Sequence, residues 1–556
     1  MANVLAVTVF VLLLVFQLLT YTPIVESVES ADQTSDGANE ELPQLGKSPS
    51  KILIPMFTWP GGSHDQQLAT IGSGVADKGH VLHLLANTLP RDDKLIASFK
   101  ASDVIYYKSP FTAEDVLKEE AKIQEASKSG VGPGMILRSQ KLASDDCRSL
   151  FTDTATLARL KNEAYDLMIS DIFFPCDVLL AHYLNIPFIG VTTTHEYPVF
   201  RKSLYGYPAE LSYVPESFFG ATDKMTFMQR VQNVFQHFLF SHVLPPILLR
   251  DFVQIQKDFD INPDSYLTCM MGKAVLWLSY SDLSLDYPHP SMPNYVPVGG
   301  MALSAAKALD TELEEFVQGS DNHGVIVFSL GSKIDTLGDT QMTEIFAKAF
   351  SRLPQRVIWR HDGDQPTNLG NNTKIMKWIS QNDLLAHSKT RLFIGHGGTN
   401  GVYEALYHEV PMILIPLIAP DQWDNAARVV SKGMGLQLDS KMITEENLFE
   451  AISEVLSNKR YQEKVSHYSA ILRDLPPAKE QAIFWIEHVL KFGGEHLRAH
   501  VFELNFIQYY LIDVGLFLIL LVAVFICILR YIFVLCCSIC KRGLKRNDVS
   551  QRSKTD

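Results

Sequence analysis

The sequence predicts an α/β protein built as two doubly wound halves, each a parallel sheet covered on both faces by helices. Three observations carry that expectation. Short apolar runs alternate with helix-period segments between residues 51 and 191. The same alternation begins afresh near Val325 and continues to about residue 492. Between the two series lies YPHPSMPNYVP (287–297), rich in proline and poor in regular pattern, as a linker would be.

In chain order, KILIPMF (51–57) reads as a buried strand. A glycine turn at Gly61 and Gly62 follows it, then a helical pattern over 64–78. VLHLL (81–85), DLMIS (166–170) and 187–191 are further strands, the last preceded by a helix over 176–184. Continuous apolar runs of this kind suit strands buried on both faces. Residues 91–150 and 199–259 read as less regular and give no decisive chemistry. The aromatic stretch 199–271 fits helices over the sheet or a face for lipid or an apolar substrate. In the second series GVIVFSLGS (324–332), RVIWR (356–360), RLFIG (391–395) and PMILIP (411–416) read as strands. HGGTNGVYEAL (396–406) opens one helix, and 421–432 forms another.

Composition bounds the function. The 556 residues carry a net charge of -13, which argues against a nucleic-acid partner. Seven cysteines are present, three of them in the body: Cys147, Cys176 and Cys269. No spacing suggests a zinc ribbon. Three cysteines cannot all pair, so no disulfide scaffold is expected, and Cys176 reads as a packed thiol.

Two segments speak to membranes. Residues 4–20 are apolar except for Gln17 and pass into an acidic polar stretch. The pattern predicts a signal peptide over 1–27 and a polar linker over 28–50. The lack of an early Lys or Arg keeps an uncleaved signal anchor open. Residues 512–535 predict one membrane-spanning helix. A basic tail, 536–556, follows with Lys541, Arg542, Lys545 and Arg546. By the positive-inside rule that tail is cytosolic and the body luminal or extracellular, a type I layout. Cys536, Cys537 and Cys540 lie where palmitoylation occurs, with an unmodified cluster as the default.

The stretch His396 to Glu404 is the most informative chemically. It leaves a strand and opens a helix, whose free N–H groups and positive dipole end favour phosphate. Gly397 and Gly398 allow close backbone approach. Glu404 lies four residues beyond Asn400, on the same helix face, where a carboxylate suits a ribose diol.

Here the chain resembles the UDP-glycosyltransferases, in particular the animal UDP-glucuronosyltransferase family. The resemblance rests on GGSHDQQLATIGSGVADKGH, SDIFFPCDVLLAHYLNIPF, GVIVFSLGS, WISQNDLL, GHGGTNGVYEALYH, DQWDNAARV and AIFWIEHVL, in family order over most of the body. It implies a GT-B fold, two Rossmann-like domains facing across a cleft. Residues 51–290 would bind the acceptor, 291–305 link, and 306–492 bind the UDP-sugar, with helices to about 510 packing back toward the membrane. It implies His64 as general base and Asp171 as its orienting partner. Trp378 would stack on uracil and Gln381 and Glu404 would bind ribose. Ser332, His396, Gly398 and Asn400 would contact the diphosphate, and Asp421 and Gln422 the transferred sugar. The reaction implied is inverting transfer from a UDP-sugar co-substrate to a hydroxyl of a small lipophilic acceptor, with neither metal nor further cofactor. Glucuronic acid is the favoured sugar. Glucosyl or galactosyl transfer to a lipophilic small molecule or sphingolipid-like acceptor is the alternative, and a non-catalytic sugar-nucleotide-binding membrane protein a distant one. Membrane lipid is an expected partner, and self-association stays open.

The sequence departs from the family pattern in three places. The box from Trp378 to Gln422 is one residue longer than usual, by Pro420, next to the sugar-binding Asp421. Ser380 stands where proline is common. The tail ends RSKTD without the usual lysine pair, so the endoplasmic reticulum is favoured but the plasma membrane stays open. An N-glycosylation triplet begins at Asn371.

Overall fold

The computed structural model describes residues 49–56, 62–129, 133–193, 195, 197–331, 340–417, 419 and 421–552. The segment read as a signal peptide, together with Ser332 and Pro420, lies outside the described residues. The described chain divides into a body that ends at Ala499 and a segment that starts at His500.

The body holds two parallel sheets. The first contains β1 (Lys51–Pro55), β2 (Val81–Asn87), β3 (Asp103–Tyr107), β4 (Leu167–Asp171), β5 (Phe188–Thr192), β6 (Leu276–Ser279) and β7 (Tyr295–Pro297), in the order β3-β2-β1-β4-β5-β6-β7. The second contains β8 (Val325–Ser329), β9 (Arg356–Arg360), β10 (Thr373–Met376), β11 (Thr390–Gly395), β12 (Met412–Leu414) and β13 (Gly435–Gln437), in the order β10-β9-β8-β11-β12-β13. In each sheet the strand order reverses beside the first strand, at β1/β4 and at β8/β11. That reversal opens a crevice at the carboxyl ends, where ligands of doubly wound folds bind.

The helices that matter for the site are α1 (Ser63–Asp77), α2 (Ala113–Ser129), α3 (Pro133–Thr152), α4 (Pro175–Leu184), α5 (Phe227–Phe238), α6 (Thr399–Tyr407), α7 (Asp421–Ser431) and α8 (Ala478–Phe492). The sheets are buried from both sides: Ile52, Leu53 and Ile54 of β1 and Val325 to Phe328 of β8 expose nothing. Gly190 of β5 is required by close approach, because a Cβ there would stand 2.4 Å from the Trp277 ring on β6.

Three expectations change. The first half has seven strands. DVIYY of β3 and LWLS of β6 escaped the reading, and YVP of β7 falls inside the proline-rich stretch. Three residues ending in proline can form an edge strand without showing any period. The stretch 91–150 is not irregular but holds α2 and α3, whose charged outer faces dilute the apolar pattern. Cys147 and Cys176 form a disulfide between α3 and the start of α4, with Cα atoms 5.6 Å apart. Counting three cysteines excluded a full set of pairs, but it did not exclude one pair.

The last body helix returns to the first domain. Ile483 of α8 lies against Gly74 of α1, Lys479 Nζ donates to Ser73 Oγ at 3.1 Å, and His80 meets Glu487 at 2.5 Å. Considered by itself, the segment from His500 contains α9 (Ile512–Arg552). Its apolar part, Ile512–Ile539, is 28 residues long and exposed. At 1.5 Å per residue it reaches roughly 40 Å, enough to cross a bilayer.

Candidate active site

His64 is the second residue of α1, the helix that follows β1 in the chain. Its Nδ1 lies 2.5 Å from Asp171 Oδ2. Asp171 ends β4, and its other oxygen accepts the Phe173 N–H at 3.0 Å, so the backbone itself aims the carboxylate. The Nε2 of His64 faces Thr193 Oγ1 at 3.3 Å. Phe173 and Phe174 present ring edges at 6.0 and 6.5 Å. Burial alone would push His64 down; the Asp171 carboxylate, together with Asp65 and Asp421, outweighs it, and the imidazole pKa ends up raised. Asp421 belongs to the second domain, so groups from both domains act on one imidazole.

A buried polar chain stands behind this pair. Asp65, next in sequence to His64, meets Arg91 at 3.3 Å, both side chains fully enclosed. Arg91 donates to Asn87, Asn87 to Asp146, and Tyr107 and Ser109 also donate to Asp146. Burial pushes Asp146 up to about 6 against those bonds. Nothing in the local sequence around Arg91 signalled this role.

In the second domain, α6 begins just after β11 with Gly398 at its cap. Gly397 has φ +85°, and a Cβ there would meet the Gln422 backbone at 2.8 Å. The His396 ring lies against Gly331 and Gly398, and a Cβ on Gly398 would stand 2.4 Å from its Nε2. Burial drives His396 down to about 4, so near neutral pH it is an uncharged donor. Asn400 accepts the Tyr280 hydroxyl of the first domain at 2.8 Å. Glu404 accepts from Gln381 at 2.6 Å, and burial lifts it to about 7. Trp378 is 67% exposed, leaving a ring face open.

Asp421 and Gln422 open α7. Burial, followed by the neighbouring Asp424, raises the Asp421 carboxyl. Gln422 Oε1 accepts the Leu417 N–H at 2.8 Å. Asn425 donates to the Gly397 carbonyl at 2.8 Å and to Thr399 Oγ1 at 3.2 Å, tying α7 to the turn before α6. Asp424 accepts the Phe218 and Gly220 N–H groups of the first domain at 2.8 and 2.7 Å. Sequence reasoning missed Tyr280, Asp424 and Asn425 because their partners are 120 to 206 residues away or serve only a turn.

Comparison with known proteins shows the family and the fold. The family described as UDP-glucoronosyl and UDP-glucosyl transferase matches residues 63–547. UDP-glucuronosyltransferase 2C1 of Oryctolagus cuniculus is 40% identical over 407 residues, covering 72% of this chain and 80% of that protein. UDP-glucuronosyltransferase 2B1 of Rattus norvegicus is 39% identical, covering 70% and 74%. UDP-glucuronosyltransferase 2B7 of Homo sapiens is 37% identical, covering 71% and 74%. Among solved structures, the kitacinnamycin glycosyltransferase superposes with a TM-score of 0.56 at 18% identity, over 80% of this chain and all of that one. The calicheamicin glycosyltransferase CalG4 gives 0.55 at 17%, over 80% and 99%. At such identities the structural likeness concerns the fold, which is GT-B.

Proposed function

The chain belongs to the UDP-glucuronosyl and UDP-glucosyl transferase family, and from that premise we propose that it transfers glucuronic acid from UDP-glucuronate to a hydroxyl of a small lipophilic acceptor. The observation that carries the mechanism is the 2.5 Å contact of His64 with Asp171, placed where Asp421 of the other domain is felt. Asp171 accepts a hydrogen bond from Nδ1–H, which keeps the hydrogen on Nδ1 and leaves the Nε2 lone pair for the acceptor, as in hydrolase triads. An acceptor hydroxyl beside Nε2 and Thr193 gives its proton to Nε2 as its oxygen bonds to the anomeric carbon. The bond from that carbon to the β-phosphate oxygen breaks, UDP departs, and configuration inverts in the single displacement. Asp171 stabilises the resulting imidazolium.

On the donor side, the N–H groups at the start of α6 and the neutral His396 stabilise the charge that grows on the diphosphate. Ser332 would add a hydroxyl, and the open Trp378 ring would take the uracil. Glu404, with Gln381, would accept from the ribose, while Asp421 and Gln422 would orient the sugar. One observation favours the alternative of a neutral hexose. Asp421 and Asp424 make this end of α7 acidic, a poor setting for the carboxylate of glucuronate.

The localisation we propose is a single-pass type I protein with a luminal body, in the endoplasmic reticulum or, as the alternative, at the plasma membrane. The disulfide supports an oxidising compartment. UDP release by microsomes carrying the chain tests the function, with UDP-glucuronate, UDP-glucose, UDP-galactose and UDP-N-acetylglucosamine as donors and mixed phenols and steroids as acceptors. Release with one donor, lost in His64→Ala, is expected. Equal release by His64→Ala would reject the base.

A further inference from the structure

His195 follows β5 in the first domain and exposes no surface. Its Nδ1 lies 2.6 Å from Asp286 Oδ1, and its Nε2 sits on Asn425 Oδ1 of α7. The amide of Asn425 is fixed from its other side. Its nitrogen already donates to Gly397 O and Thr399 Oγ1, so the oxygen is the atom turned to His195. Both ring nitrogens therefore face oxygen atoms, one from Asp286 of the first domain and one from Asn425 of the second. Asp286 also accepts from Arg428 Nε of α7 at 3.0 Å. Asp424, Asn425 and Arg428 fall on one helix face with Asp421, at spacings of three, four and seven. Three of the four are bonded to first-domain groups.

These bonds form one continuous path. It starts in the first domain at His195, crosses to Asn425, and ends in the Gly397 to Thr399 turn and the Asp421 end of α7. We propose that His195 is a positioning residue that couples docking of the first domain to the shape of the donor site, so that the transferred sugar is held for attack only when His64 is also in place. The proposal rests on the glycosyltransferase reading given above. When the domains separate, Asn425 keeps its own bonds to the Gly397–Thr399 turn but loses the partner of its oxygen, and the Asp421 end of α7, which meets the transferred sugar, loses the support that fixes it. Trp378, Gln381 and Glu404 lie off this path, so recognition of the nucleoside is independent of it.

The test uses the full-length chain in membranes, with His195→Ala, His195→Gln, Asn425→Ala and the double variant His195→Ala/Asn425→Ala. Two readouts are taken, kcat for transfer and the affinity for UDP alone, with protease resistance as the check of folding. His195→Ala is expected to lower kcat about tenfold or more while UDP affinity moves by less than about threefold. His195→Gln, whose amide can still donate to Asn425, should recover part of the loss. In the Asn425→Ala background, removing His195 should cost less than about twofold, because the path is already cut. Losses that multiply in the double variant would overturn the coupling, as would UDP affinity falling in step with kcat. If His195→Ala does not fold, the same comparison runs with His195→Leu, which fills the space but cannot donate to Asn425, and a wild-type kcat there would overturn the proposal. A wild-type chain that binds UDP but transfers no sugar would instead sink the glycosyltransferase reading.

Discussion

A histidine works as a base only while it is uncharged, and the surroundings of His64 favour its charged form. Its pKa is raised above the usual 6.5 because Asp171, helped by Asp65 and Asp421, outweighs burial. Transfer should therefore rise with pH through the titration of His64 and fail below it. Asp171→Asn removes the main cause of that rise and the fixed tautomer with it. By analogy with triads, kcat should drop about a thousandfold or more and its acid limb should move to lower pH. Arg91→Leu acts in the opposite sense. It takes the guanidinium from Asp65, strengthens the negative field on His64, and should move the acid limb to higher pH in a kcat profile. Glu404 gives a third expectation. Its free-site pKa is about 7, and ribose hydroxyls donating to the ionised form would lower it. UDP should then release protons on binding near pH 6, seen by calorimetry in buffers of different ionisation heat, and its affinity should weaken as pH falls below 7. At this scale His64, Asp171, Glu404 and Asp421 were legible because each sits in a local motif. Arg91 and His195 were not, since burial and a partner far along the chain define them.

At the scale of elements, one turn and one crosslink decide what the strands can present. The turn before α6 is legible as glycines after a strand, yet the structure shows which glycine is spent on what. Gly397 supplies a positive φ, whereas Gly398 makes room for His396. Gly398→Ala should displace the His396 ring and weaken UDP binding, measurable by titration, without unfolding the protein. The crosslink between α3 and α4 joins positions 29 apart in sequence. Chain entropy puts its contribution at about 3–4 kcal/mol. Cys147→Ser/Cys176→Ser should lower Tm clearly in a thermal scan, while the wild type should approach the variant under strong reductant. The sequence did not reveal this pair because spacing says nothing about which helices lie side by side. Strands β3, β6 and β7 were missed for a related reason: a short strand is specified by its neighbours in the sheet more than by its own period.

Two sheets with matching strand order, a last helix laid across the first domain, and an apolar helix of bilayer length describe the molecule as a whole. The doubly wound halves could be read from the alternation alone, because parallel strands must be separated by crossovers. The mutual seating of the halves could not, since it depends on buried bonds such as Asp424 with the Phe218 and Gly220 amides. Asn371 is exposed at the second sheet's edge, just before β10. If the body is luminal, endoglycosidase should shift the wild type on a gel and leave Asn371→Gln unchanged. An unshifted wild type would count against a glycan at that triplet.

The return of α8 onto α1 also sets a timetable. His80 and Glu487, which meet where these helices touch, are 407 residues apart. A ribosome adding about 5–20 residues per second needs roughly 20 to 80 s to make that stretch. Throughout that interval the helix that carries His64 has emerged without the partner that covers Gly74 and Ser73. The domain that carries the base is thus completed only by the last helix of the body, after the strands of the donor domain have been made.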